Sequence, residues 1–274
     1  MLVQLLVSVR SAAEAASALA GGADVIDAKE PALGALGAVA ADVLAAIDLA
    51  VPSPVPLSVA LGDVGEPEEA ARLVAGLPLR PREAPVYAKL ALPDRDESRW
   101  AEILGAAVLA AANHAAKPRL IAAVYADLCT FDQLLRVINA AVFARAGGAL
   151  LDTATKDGRS LLDWLTGDLL KRWADTARTA GLLSGLAGSV NASQVPVLAA
   201  AGADVMGVRG AACDGGRTGT IDVHRVAALR QALESSAYLQ ATRASAGAAT
   251  SAWQDRAACK APHQPVPAPP RATA

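Results

Sequence analysis

The chain has 274 residues, 53% of them hydrophobic and 19% charged, with a net charge of −2 and a pI near 5.9. That is enough chain for one large core, and single-domain α/β barrels commonly have this size. There is no basic excess to hold nucleic acid, so an anionic substrate would need a local basic site rather than a global field.

The three cysteines (Cys129, Cys213, Cys259) form no CxxC pair, and the three histidines (His114, His224, His263) have no metal-ligand spacing. Neither a disulfide framework nor a metal site is expected. The N-terminal run LVQLLVSV is too short to span a membrane and lacks a basic leader. The sequence reads as cytoplasmic, with no membrane or nucleic-acid partner.

Apolar runs occupy residues 2–9, 23–28, 55–61, 85–92, 119–125, 148–153, 181–187 and 203–209. Helical periodicity follows each, over 11–20, 38–49, 66–77, 97–115, 130–146, 160–180, 191–200 and 222–238. The apolar runs barely alternate, as parallel strands covered by helices on the outside should not. Eight strand-then-helix units predict a closed (β/α)8 TIM barrel over residues 1–239. The competing open doubly wound sheet would carry an early GxGxxG turn, and the sequence has none. Residues 240–274 are small, polar and proline-ended, without an apolar period. They are expected to form a disordered tail without chemistry, with a helical stretch and docking of Trp253 left open.

The active site of such a barrel lies at the C-terminal ends of its strands. The second run ends with Asp27 and Lys29, the third leads to Asp63, and the fourth carries Lys89. The fifth ends with Tyr125 and Asp127, and the sixth with Asp152 and Lys156. Strand side chains alternate with period two, so Asp27 and Lys29 share a face. An unpaired carboxylate packed against the helices would be costly, so that face is expected to be the barrel mouth. Lys89 sits within an apolar strand and needs a carboxylate partner or a function.

The chain has only six lysines against nineteen arginines, and three of the six fall at these strand ends. An amine differs from a guanidinium in that it can lose its proton and add to carbonyls. Clustering and burial both lower a lysine pKa, which suits a Schiff-base nucleophile with a second lysine as base. The ends of the seventh and eighth runs offer LAGSVNAS and GVRGAAC, where Gly188, Ser189, Gly207, Arg209 and Gly210 are candidates to hold a phosphate. Arg209 has an alternative role as partner to a barrel carboxylate. From its residues the chain reads as a Schiff-base enzyme acting on a small phosphorylated carbonyl compound.

The stretches LLVSVRSAAEA, GGADVIDAKEPALGALG, ALGD, YAKLAL, YAD, LLDTATKDGRSLLDWL, LAGS and GADVMGVRGAAC occur in this order over residues 3–235. In these the chain resembles the (5-formylfuran-3-yl)methyl phosphate synthases, also called 4-(hydroxymethyl)-2-furancarboxaldehyde-phosphate synthases. Glu30 and Ala35 depart from the Asn and Ser common in that family. They flank Lys29 without replacing it.

The resemblance implies condensation of two glyceraldehyde 3-phosphate molecules to a phosphorylated furan aldehyde, with loss of water and one phosphate. This is a lyase reaction in methanofuran-type cofactor biosynthesis and one-carbon metabolism. By motif position Lys29 is the Schiff-base lysine, Lys89 the proton acceptor, and Asp27, Asp152 and Lys156 the remaining catalytic set. No metal or organic cofactor is expected, because the imine supplies the electron sink. The rivals are a Schiff-base aldolase on a related triose phosphate and a non-catalytic phosphate-binding barrel. Apolar helix positions near 105–112 leave a homo-oligomer open.

Overall fold

The computed structural model describes residues 3–92 and 97–258. Eight strands form a closed parallel barrel in chain order. They are β1 (Gln4–Val9), β2 (Val25–Ala28), β3 (Leu57–Asp63), β4 (Val86–Ala91), β5 (Arg119–Tyr125), β6 (Gly148–Asp152), β7 (Leu183–Leu186) and β8 (Val205–Val208). The ring closes where β1 pairs with β8, from Gln4 opposite Val205 to Val7 opposite Val208. That seam excludes the open sheet.

Among the described residues eight α-helices alternate with the strands: α1 (Ala12–Ala20), α2 (Ala41–Ala50), α3 (Pro67–Ala75), α4 (Glu97–Asn113), α5 (Phe131–Phe143), α6 (Gly167–Thr179), α7 (Val195–Ala201) and α8 (Val223–Ala258). Local chemistry fixes their starts. Ser11 caps α1 by accepting from the Glu14 N–H, and Thr130 and Gln133 form a reciprocal capping box on α5. The main core lies between strands and helices. Trp100 and Trp173 are its largest fully buried side chains, and the Trp173 indole N–H donates to Leu134 O. A side chain of this size withdraws roughly 200 Å² from water, worth about 5 kcal/mol of transfer free energy.

Two helices begin later than periodicity predicts. Ser160 and Asp163 cap a single 3-10 turn (Leu161–Asp163), and Thr166 then caps α6. Asn191 likewise caps a 3-10 turn (Ala192–Gln194) ahead of α7. Capping residues inside the apolar period break the helix into two pieces. A short antiparallel ribbon follows β8, pairing β9 (Cys213–Asp214) with β10 (Thr220–Ile221).

Of the described residues, those up to 236 form one compact unit and 237–258 a second. Helix α8 runs to Ala258, beyond residue 239 where the sequence reading ends the barrel. Residues 259–274 lie outside the described residues. No helix among the described residues is long and apolar enough to cross a membrane.

The barrel interior is filled by small side chains toward its C-terminal end. Ala60, Ala91, Ala123 and Ala187 lie there with Ile121, Leu150 and Tyr125. Glycine adds to this economy at Gly148, where a Cβ would stand 2.5 Å from Leu183 O. Small residues inside the ring leave room for a chamber at the mouth.

Candidate active site

That chamber has a volume of about 380 Å³, at the lower end of the small-molecule range. Lys29, Lys89, Asp152, Lys156, Gly188, Ser189, Gly207, Arg209 and Gly210 all line it. The sequence reading thus drew nine of its ten candidates from one chamber. The tenth, Asp27, is fully buried beside it on β2.

Asp27 is the partner that Lys89 needed. The Lys89 Nζ lies 2.7 Å from Asp27 Oδ1, and the Ser8 hydroxyl donates to Oδ2 at 2.7 Å. Burial alone would raise the Asp27 pKa. The Lys89 and Lys29 charges outweigh that and hold the carboxyl below its ordinary range.

A second pair stands across the mouth. Lys156 Nζ donates to Asp152 Oδ1 at 2.8 Å and to the Thr153 hydroxyl at 3.0 Å. Asp152 also accepts from the Thr153 N–H at 2.7 Å. Again burial would raise this carboxyl, and the charges of Lys156 and Lys29 hold it low.

Lys29 is different. It sits one residue past β2 and is only 8% exposed. Among the described residues it forms no ion pair within 4 Å and no hydrogen bond through Nζ. Burial drives its pKa from 10.5 down to about 8. Asp152 and Asp27 oppose the shift, whereas Lys89 and Lys156 add to it. The two carboxylates are therefore each committed to a neighbouring lysine, and the third lysine is left with a labile proton. This is the condition for an amine to attack a carbonyl near neutral pH.

The turns after β7 and β8 frame the other side of the chamber. Gly188 has φ +111°, and a Cβ there would also crowd Thr153 at 3.0 Å, so the turn demands glycine. Ser189 follows with φ +50°. Among the described residues no hydrogen bond uses the backbone N–H of Ser189, Val190, Gly210 or Ala211. These groups are available to an anion.

Arg209 requires a correction. Its side chain borders the chamber, but its N–H groups are already taken. Nη1 donates to Glu14 Oε2 and, at 2.9 Å, to Ser8 O, while Nη2 donates to Glu14 Oε1 at 3.1 Å and Gly219 O at 2.8 Å. Nε donates to Arg217 O at 3.1 Å. With all five N–H groups used, Arg209 has no donor left for a phosphate. Its alternative role, as partner of a buried carboxylate, is what the geometry shows, although that carboxylate belongs to α1 rather than to a strand.

Asp63 and Asp127 lie outside the chamber lining. Asp63 accepts the Tyr125 hydroxyl at 2.5 Å, and burial together with that bond pushes the phenol pKa up. Asp127 accepts the Ala154 and Thr155 N–H groups, each at 2.7 Å, and so fixes the loop that carries Lys156. The sequence reading missed Arg217 and Asn191, which also line the chamber. Arg217 lies in a loop without periodicity, and Asn191 opens the run read as the seventh helix, so the only signal was a polar side chain near a strand end.

A family profile described as 4-HFC-P synthase matches residues 5–230. The chain belongs to the 4-HFC-P synthase family. It is 36% identical over 239 residues to a (5-formylfuran-3-yl)methyl phosphate synthase of Methanopyrus kandleri, covering 85% of this chain and 100% of that one. A synthase of the same name from Methanocaldococcus jannaschii is 34% identical over 233 residues, covering 83% and 98%. The fold of this 4-HFC-P synthase family member is shared more widely. Phosphoribosyl anthranilate isomerase from Thermus thermophilus superposes with a TM-score of 0.57 at 16% identity, covering 85% of this chain and 99% of that one. Hexulose-6-phosphate synthase from Salmonella typhimurium gives 0.55 at 18% identity, covering 84% and 100%.

Proposed function

We propose that the chain condenses two glyceraldehyde 3-phosphate molecules to 4-(hydroxymethyl)-2-furancarboxaldehyde phosphate, which is (5-formylfuran-3-yl)methyl phosphate. One phosphate and water are lost, and the product feeds methanofuran-type cofactor biosynthesis. The names of the relatives support the product. The observation that carries the mechanism is the buried, unpaired Lys29 amine with its pKa near 8.

In this reading the free Lys29 amine adds to a triose-phosphate carbonyl to give a carbinolamine. Lys89, ion-paired with Asp27, gives a proton to the departing hydroxyl, and water leaves as the iminium forms. The Lys89 amine so produced takes the α-proton, and the iminium becomes an enamine. Its nucleophilic carbon attacks the aldehyde of the second molecule. Ring closure, dehydration and elimination of phosphate follow, driven by aromaticity. Asp152 and Lys156 move protons in these later steps. The Gly188–Ser189 and Gly207–Gly210 turns hold a phosphate through backbone N–H groups.

In this reading the activity belongs to the barrel, residues 1–239, acting in the cytoplasm. The reaction is that of a carbon–oxygen lyase acting on phosphates. Borohydride reduction in the presence of glyceraldehyde 3-phosphate tests it. The expected result is a covalent adduct on the peptide containing Lys29, with a near-ultraviolet furan chromophore in unreduced turnover. An adduct without the chromophore would mean that the reaction stops at an aldol. Wild-type rates in Lys29→Arg, which keeps charge but forms no imine, would end the Schiff-base reading.

A further inference from the structure

Three ion pairs balance the charge around the chamber: Lys89 with Asp27, Lys156 with Asp152, and Arg209 with Glu14. Two cations of the lining are left over, Lys29 and Arg217. Arg217 is half-buried and forms no ion pair among the described residues. Of its five N–H groups, one is used: Nη2 donates to Gly34 O at 2.6 Å, in the loop that follows Lys29. Burial disfavours its protonated form and the Arg209 charge adds to that, whereas the charges of Asp152 and Glu30 oppose it without outweighing it. A half-buried guanidinium with four N–H groups unused and no carboxylate in contact has room for an anion.

The backbone that presents Arg217 is also fixed with care. Arg209 spends two of its hydrogen bonds on Arg217 O and Gly219 O, and Glu14 holds Arg209 in turn. The same loop lies against the turn after β8, where a Cβ on Gly210 would stand 3.7 Å from Arg217 Cα. One buried arginine therefore orients a second, whose free donors border the chamber beside unused backbone N–H groups.

We infer that Arg217 is the charged anchor for a phosphate monoester, its guanidinium fork meeting the phosphate between the turn after β8 and the loop after Lys29. A dianion there offsets the two unpaired cations. This takes over the role that the sequence suggested for Arg209, and it rests on the proposed function for the identity of the substrate.

The test is calorimetric titration of the full chain with inorganic phosphate, for wild type and for Arg217→Gln. Affinity is expected to fall about 10- to 100-fold, as for the loss of hydrogen bonds to a charged group. KM for glyceraldehyde 3-phosphate should rise by a similar factor. Borohydride trapping of unphosphorylated glyceraldehyde on Lys29 should fall far less than phosphate affinity, because that ligand carries no phosphate for Arg217 to meet. A folded R217Q that binds phosphate as tightly as wild type overturns the inference. Should R217Q not fold, R217K serves: several-fold weaker phosphate binding supports recognition by the fork, and unchanged binding refutes it. A wild type that binds phosphate but traps no aldehyde would undo the Schiff-base reading and leave the anchor standing.

Discussion

The Lys29 amine should titrate near pH 8, and Asp152 should be what keeps it from titrating lower still. Burial displaces this lysine from 10.5 to about 8, with Asp152 the larger of the two opposing charges. A displacement of this size corresponds to roughly 3 kcal/mol. It raises the free-amine share at pH 7 from about one in three thousand to about one in ten. Asp152→Asn removes a carboxylate that favours the ammonium and leaves Lys156 without its partner. Both changes act in the same direction, so the Lys29 midpoint should move down. The assay is the rate of labelling by an amine-selective reagent between pH 6 and about 11, read on the Lys29 peptide by mass spectrometry. Labelling at pH 7 should speed up in the variant, by at most about 10-fold because the wild-type amine is already about one-tenth free. Turnover should fall, because the proposed mechanism uses Asp152 to carry protons. A wild-type midpoint at the ordinary lysine value, or an upward shift in Asp152→Asn, would refute the reasoning.

Three further outcomes follow from the same geometry. Lys29→Met should stabilise the protein at pH 7 by up to about 3 kcal/mol in urea unfolding. The unfolded lysine keeps its proton up to about 10.5 and the folded one loses it near 8, so wild type gains stability across that window and the difference closes. Equal stability at pH 7 would count against the burial cost. Lys89→Met should destabilise by roughly 3–5 kcal/mol, because it leaves the Asp27 carboxylate buried and unpaired, and adding Asp27→Asn should recover most of the loss in thermal melts. Asp127→Asn should weaken the two backbone bonds at Ala154 and Thr155, costing about 1–2 kcal/mol, and should lower kcat by displacing Lys156. Unchanged kcat would mean that the loop holds its shape without Asp127.

The barrel was legible because parallel strands covered on both faces leave long apolar runs that survive in the sequence. The lysines were legible for a related reason: an amine at the end of such a run stands out in a chain that otherwise uses arginine. Pairing was harder. That Lys89 needed a carboxylate could be argued from its strand, but Asp27 as that carboxylate depends on the register across β2, β3 and β4. Arg209 and Arg217 lie eight residues apart, and nothing in their spacing says which one faces the chamber. Glu14 decides it, and its part is invisible in sequence because it reads as an ordinary first-turn acid of α1. The ribbon of β9 and β10 is two residues to a strand, too short to leave a period. Helix α8 passes residue 240 because alanine sustains a helix without any apolar stripe.

Glu14 and Arg209 are 195 residues apart in the chain. Their bond exists only once β8 has docked on β1, which makes it one of the last contacts available to a growing chain. Before that seam closes, Arg217 has no anchored loop and Lys29 is open to water. A solvated lysine returns toward its ordinary pKa and keeps its proton. Under the proposed Schiff-base chemistry the unfinished chain therefore carries Lys29 in its protonated, unreactive form, guarded against the stray aldehydes and sugar phosphates it would meet while folding. Closing the ring is the step that arms it.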